Sequence, residues 1–151
     1  MKIPVDIRVK SERTFFDLSK RGAGNEHKDS DDFSVSGILK STKNGFRIEY
    51  SEENGIVKTI IDTFDNETVS INRLGPINSH MVFTNGKSLS CICNTDLFPI
   101  QMLVRTKQLE NSLSFDGGKL FIDYSVTVAG NLAENNNITF SISPDVSIIK
   151  S

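Results

Sequence analysis

The chain has no tryptophan and, in 151 residues, only two cysteines, two histidines, two tyrosines and four prolines. Each scarcity removes a class of function. With Cys91 and Cys93 the only cysteines, a disulfide scaffold is excluded. Their i, i+2 spacing in an apparent strand points both side chains to one face, without the geometry for an easy mutual bridge. A zinc site needs two further soft or imidazole ligands, and the only histidines, His27 and His80, stand far apart in no ligand spacing. The cysteines therefore read as small apolar core fillers, and no metal or cofactor is expected. No apolar run exceeds three residues, as in Met102-Leu103-Val104 and Leu120-Phe121-Ile122, whereas a membrane span needs ~20. A transmembrane helix is thus excluded and no membrane partner is expected. The opening Met1-Lys2-Ile3-Pro4-Val5-Asp6-Ile7-Arg8 puts charge where a secretory signal carries its apolar core, so a cytoplasmic protein is expected.

Charge of one sign is also missing. Seventeen Lys and Arg face nineteen Asp and Glu, for a net charge of −2. Residues 1–28 hold seven of the bases against four acids, a mild asymmetry. No basic stripe with interleaved aromatics accompanies it, so nucleic acid is not an expected partner.

What is present is a period of two. Apolar residues make up 37% of the chain, and they alternate with polar ones between turn signals spaced eight to twelve residues apart, an all-β pattern. Ile3, Val5, Ile7 and Val9 share one face of a first strand. Residues 17–32, rich in Gly, Asn, Asp, Lys and Ser, break the pattern and read as a surface loop, with a short helical turn around Phe15 to Ser19. Phe33, Val35, Gly37 and Leu39 then resume it. Asn44-Gly45 and Asn85-Gly86 are hairpin signals, because both residue types tolerate positive φ. Later strands carry Phe98 to Thr106 in even phase, Leu120 to Val128, and a last strand opened by Asn135-Asn136-Asn137 and stopped by Pro144. About ten strands joined by tight turns favour a single domain over 1–151, an antiparallel up-and-down barrel whose closure hides the sheet edges. A two-sheet sandwich is the runner-up.

The chemical motifs are weak. Gly22-Ala23-Gly24 beside Lys20 and Arg21 lacks the third glycine and the strand-to-helix context of a phosphate cradle. Asp29-Ser30-Asp31-Asp32 has Ser34 where a calcium loop needs glycine and Lys40 where it needs glutamate, and reads as solvated acids before a strand. Asn66-Glu67-Thr68 and Asn137-Ile138-Thr139 match the glycosylation triplet but read as turn residues in a chain without a secretory signal. No serine sits in a nucleophile elbow, and Glu52-Glu53 lies at a hairpin, so no enzyme is expected.

A few polar residues do fall in phase with the apolar face. Tyr50 and Glu52 follow Phe46 and Ile48, Arg73 follows Val69 and Ile71, and Tyr124 sits between Ile122 and Val126. Turned inward, each must find a partner. Either Arg73, Tyr50 and Tyr124 line a cavity and grip the polar end of a small ligand, or Arg73 pairs with Glu52 near the rim while the tyrosines bond to backbone and the core is filled.

The series Ile48-Glu49-Tyr50-Ser51-Glu52, Val69-Ser70-Ile71-Asn72-Arg73-Leu74-Gly75, Met81-Val82-Phe83 and Leu120-Phe121-Ile122-Asp123-Tyr124 resembles, in order and spacing, the YwiB-like family of small bacterial proteins with calycin-like barrels. The resemblance covers nearly the whole chain. It implies a closed antiparallel barrel in the lipocalin and streptavidin style, of about eight to ten strands, in the cytoplasm of a bacterium, and it brings no established activity. Where the family tends to have Tyr-x-Thr and then a glycine before the long strand, this chain has Cys93-Asn94-Thr95-Asp96, keeping Thr95 and losing the aromatic and the glycine. Calycin barrels often hold small hydrophobic molecules, which adds a ligand by analogy. The resulting expectation is a non-enzymatic binder of a small hydrophobic or amphipathic molecule, with Arg73, Tyr50, Glu52 and Tyr124 nearest the site. The alternative is a protein-interaction module with a filled core, meeting its partner through the 17–32 loop or a sheet surface.

Overall fold

The computed structural model describes residues 1–16, 26–94 and 97–145. Ten strands follow one another in the order β1 (Lys2–Phe16), β2 (Glu26–Ser41), β3 (Phe46–Glu52), β4 (Val57–Thr63), β5 (Thr68–Leu74), β6 (Asn78–Thr84), β7 (Ser88–Asn94), β8 (Pro99–Asn111), β9 (Gly118–Val128) and β10 (Asn131–Pro144). A 3₁₀ turn at Glu53–Gly55 joins β3 to β4. Each strand pairs antiparallel with its sequence neighbour, and β1 also pairs with β10, so the sheet closes into an up-and-down barrel. No helix among the described residues is long and apolar enough to cross a membrane.

Alternation then decides the interior. Val5, Ile7, Val9, Leu39, Ile48, Ile61, Val69, Phe83, Leu120, Ile122, Phe140 and Ile142 point inward and are buried, as period-two side chains on a closed sheet must be. One end is plugged. The connection from β8 to β9 folds Leu113 and Phe115 against the core, and Phe115 meets Phe46 edge to face with ring centroids 5.3 Å apart. Cross-strand pairs on the outer surface, Arg8 with Asp32, Lys40 with Glu49 and Arg47 with Asp62, lie at 3.1, 3.6 and 2.7 Å.

The structure departs from the sequence reading in three places. Residues 26–32, expected as loop, are strand: β2 runs alongside β1 from Phe16↔Glu26 to Lys2↔Lys40. Their polar composition has a physical cause. β3 pairs with β2 only over residues 37–41, so the rest of β2 rises past the rim as a ribbon exposed along most of its length, and charged side chains protect its open edge from pairing with another chain. Phe15 and Phe16 likewise continue β1 instead of starting a helical turn. The remaining calls in this region, residues 17–19 of that turn and Gly22-Ala23-Gly24, lie outside the described residues, as do Thr95 and Asp96.

The second departure is Asn135-Asn136-Asn137, which lies inside β10 and not at its start or in a turn. Turn propensity yields here to eleven residues of continuous pairing with β1. The third is a bulge in β8 between Thr106 and Gln108. It moves the inward phase from even to odd, burying Leu109 where an unbroken strand would have turned Gln108 and Glu110 inward.

Gly37 marks where β3 leaves β2. A Cβ there would sit 2.5 Å from the Glu49 carbonyl oxygen and 2.6 Å from Ile7 Cδ1, so strand and core must both shift to admit it. Replacing Gly37 by alanine is expected to cost about 1–3 kcal/mol in chemical denaturation, whereas alanine at its exposed neighbour Ser36 should change stability by under about 0.5 kcal/mol.

Candidate functional site

Among the described residues the end opposite the Leu113–Phe115 plug is open, and the inward face changes character there. Val9, Phe33, Ile71, Met81, Phe83, Ile138 and Phe140 form the apolar walls of an inner lobe of about 250 Å³. Tyr50, Glu52, Thr59, Arg73 and Tyr124 supply its polar groups, so all four residues singled out from the sequence line one cavity. An outer vestibule of about 280 Å³ continues from it, sharing Ser11, Asp31, Arg73, Tyr124 and Ile138 and adding Arg13, Asp29, Glu134 and Asn136 from the β10–β1–β2 wall.

Period two explains these positions. Glu52 is four residues beyond Ile48, Arg73 four beyond Val69, and Tyr124 two beyond Ile122, each on the inward face of its strand. Thr59 and Asn136 obey the same rule, two before Ile61 and four before Phe140, and were missed because the phase of β4 was not followed and because asparagine reads as a turn residue. Asp31 precedes Phe33 in the same way.

One part of each expected arrangement is present. Arg73 Nη2 donates to Glu52 Oε2 at 3.4 Å, the pair anticipated at the rim, and the space beneath it is a cavity. The tyrosine hydroxyls do not bond to backbone among the described residues. Phe83 holds the Tyr124 ring edge to face at 4.7 Å. Arg13 is fixed from three sides, donating to Asp29 at 3.3 Å and Glu134 at 3.4 Å while lying 4.8 Å over the Phe15 ring, which stacks on His27. His80 faces Asn72 away from the cavity. Cys91 and Cys93 share the inward face of β7 and are free.

Two polar atoms at the cavity are left over. Thr59 Oγ1 and Asn136 Oδ1 are buried with no hydrogen-bond partner among the described residues, a state that costs about 1–3 kcal/mol unless water or a ligand fills it. The Asn136 amide is oriented by its other end, since Nδ2 donates to Glu134 Oε2 at 3.2 Å. The Tyr50 hydroxyl is pushed up to about 12, first by burial and then by the Glu52 carboxylate, with the adjacent Thr59 and Arg73 opposing. Thr59 is near enough to act on the phenol yet outside hydrogen-bond geometry. Tyr124 is likewise pushed up to about 12, by burial and then by Glu134, with the adjacent Asn136 amide, Arg13 and Arg73 opposing.

This is a closed ten-stranded antiparallel barrel, plugged at one end and hollow at the other. Residues 18–140 match the family model of a domain of unknown function, DUF1934, and the chain belongs to that family. The crystal structure of the YwiB protein from Bacillus subtilis is similar, with a TM-score of 0.76 and 20% identity, covering 95% of this chain and 92% of that one. No curated protein matches the chain.

The two tyrosines are the only ones in the chain, which also lacks tryptophan, so phenolate absorbance reads the cavity directly. In the folded barrel both phenols stay protonated to about pH 12, against 10.0 ordinarily. Their contribution to stability is therefore complete below pH 10 and is lost as pH rises toward 12, by roughly 2 kcal/mol for each tyrosine. Phenolate absorbance should rise together with unfolding in this window, and Tyr50→Phe with Tyr124→Phe should remove this component of the alkaline instability. Two phenols titrating near pH 10 in the folded protein would contradict the buried placement.

Proposed function

We propose that the protein is a non-enzymatic binder of a small, partly apolar molecule, held in the hollow end of the barrel with Arg73, Tyr50, Glu52 and Tyr124 closest to it, and that it works in the cytoplasm. The observation that carries this reading is the inner lobe of about 250 Å³, apolar in its depth and polar at its rim, which is how small-molecule sites are built. A filled core would have left no such volume. A binding role without chemistry is supported by the cavity's described lining, which includes neither histidine. Free Cys91 and Cys93 suit a reducing compartment. Barrels of the lipocalin kind hold ligands in the same place, which is support by analogy.

Arg73 separates binding from folding. Its pair with Glu52 is long and its side chain is about half exposed, so Arg73→Ala should change unfolding by under about 1 kcal/mol. Native mass spectrometry of freshly purified protein is expected to show an extra mass that is lost on denaturation and is reduced in Arg73→Ala. An apo mass, with no small molecule of a broad library raising the melting temperature, would contradict the binder reading and favour a protein partner.

A further inference from the structure

The barrel wall is not tied equally all the way round. Among the described residues β6 and β7 share only two pairs, Asn78↔Asn94 and Ser79↔Cys93, both toward the open end. Six pairs join β5 to β6 and seven join β7 to β8, and no other junction has fewer than five. The gap has a cause in the sequence. Lys87 N–H donates to the Thr84 carbonyl at 2.9 Å, which sets Thr84 opposite Lys87. From there to the Ser79↔Cys93 pair β6 has four residues, 80–83, and β7 has five, 88–92, so one residue is left over and the two edges fall out of step. The turn adds to the mismatch. Of its central residues Asn85 and Gly86, only Gly86 has a positive φ, +77°, as in a type II turn, whose twist runs against that of the strands and splays them.

The seam is fastened at its ends and loose between them. Asn85 N–H donates to the Glu67 carbonyl and Gly86 N–H to the Thr106 carbonyl, each at 2.9 Å, so the turn is held by the chain entering β5 and by β8. Carried along the strands, the alternation of antiparallel bonding directs the backbone groups of Met81 and Phe83 at β5 and those of Leu89 and Cys91 at β8. Val82, Ser88 and Ser90 turn theirs toward the seam, beyond the last pair of its ladder. Parting the wall here breaks fewer backbone hydrogen bonds than at any other junction. The strand that is freed also shapes the cavity, since Met81 and Phe83 on β6 line the inner lobe. Resting on the binder reading above, we propose that this seam is the yielding part of the wall: β6 swings outward on its ladder with β5, carries Met81 and Phe83 away from the axis, and lets the inner lobe take a ligand broader than its resting width.

Tying the seam tests this. Val82 and Ser90 lie opposite each other when the Ser79↔Cys93 register is counted on, so Val82→Cys with Ser90→Cys, in a full chain also carrying Cys91→Ala and Cys93→Ala, gives one variant that is locked when oxidised and free when reduced. Its two states are titrated with slender 1-hexanol by calorimetry and with the broad, four-ring 1-pyrenemethanol by fluorescence. Hexanol is expected to bind both states within about 2-fold, and pyrenemethanol to bind the locked state about 10-fold or more weakly, with reduction restoring it. Amide exchange of the unmodified chain without ligand reads the seam independently of any variant. Val82, Ser88 and Ser90 are expected to exchange about 100-fold or more faster than Met81, Phe83, Leu89 and Cys91 on the same strands. Equal protection of the two sets overturns the proposal. Equal binding of pyrenemethanol by both states, or its failure to bind where hexanol does, also overturns it while leaving a ligand-binding barrel in place. Failure of both probes to bind the unmodified chain up to their solubility overturns both readings.

Discussion

Closure of the sheet is the constraint on which the rest of the molecule depends. The β1–β10 ladder runs from Val5↔Pro144 to Phe15↔Glu134, and once it forms every second residue of ten strands must face one enclosed space. That space has to be filled, plugged or wetted along its whole length. The chain fills one end with branched aliphatic side chains and phenylalanine, seals it with Leu113, Phe115 and Phe46, and leaves the other to tyrosine, threonine, asparagine and paired charges. The cavity is thus the consequence of a composition gradient along the inward face. Burying large apolar residues at positions such as Ser11, Thr59 and Ser79 would have closed it.

Much of this was legible in the sequence, and the reasons differ by element. The up-and-down barrel followed from alternation and from Asn-Gly turns, two local rules that agree with the final topology. Tyr50, Glu52, Arg73 and Tyr124 could be found together because each continues an apolar phase on its own strand, and closure brings those phases to one place. The ribbon at residues 26–32 was missed because a strand beyond the rim has no buried face to impose alternation. The bulge in β8 between Thr106 and Gln108 gave no signal for a different reason. A bulge shifts phase without leaving a compositional mark, and only the burial of Leu109 reveals it. Asn136 illustrates the limit of propensity, since pairing with Arg13 and Tyr124 on neighbouring strands outweighs the turn preference of three asparagines.

The ribbon also changes what the open end can do. By carrying β1 and β2 past the rim, it adds Arg13, Asp29 and Asp31 to a cavity that the barrel alone would end at Arg73 and Glu52. The inner lobe is thereby set apart from solvent by a vestibule of fixed charges, with Arg13 clamped by two carboxylates and an aromatic ring.

A crystal structure of the freshly purified protein, at a resolution that defines side-chain rotamers and ordered solvent, tests the central claim most directly. The account predicts an inner lobe of about 250 Å³ kept open between Phe33, Met81 and Phe83 beneath the Arg73–Glu52 pair, occupied by ordered solvent or a bound molecule. Phe33 or Met81 rotated inward to fill that volume, with Thr59 Oγ1 and Asn136 Oδ1 satisfied by protein groups, would contradict it.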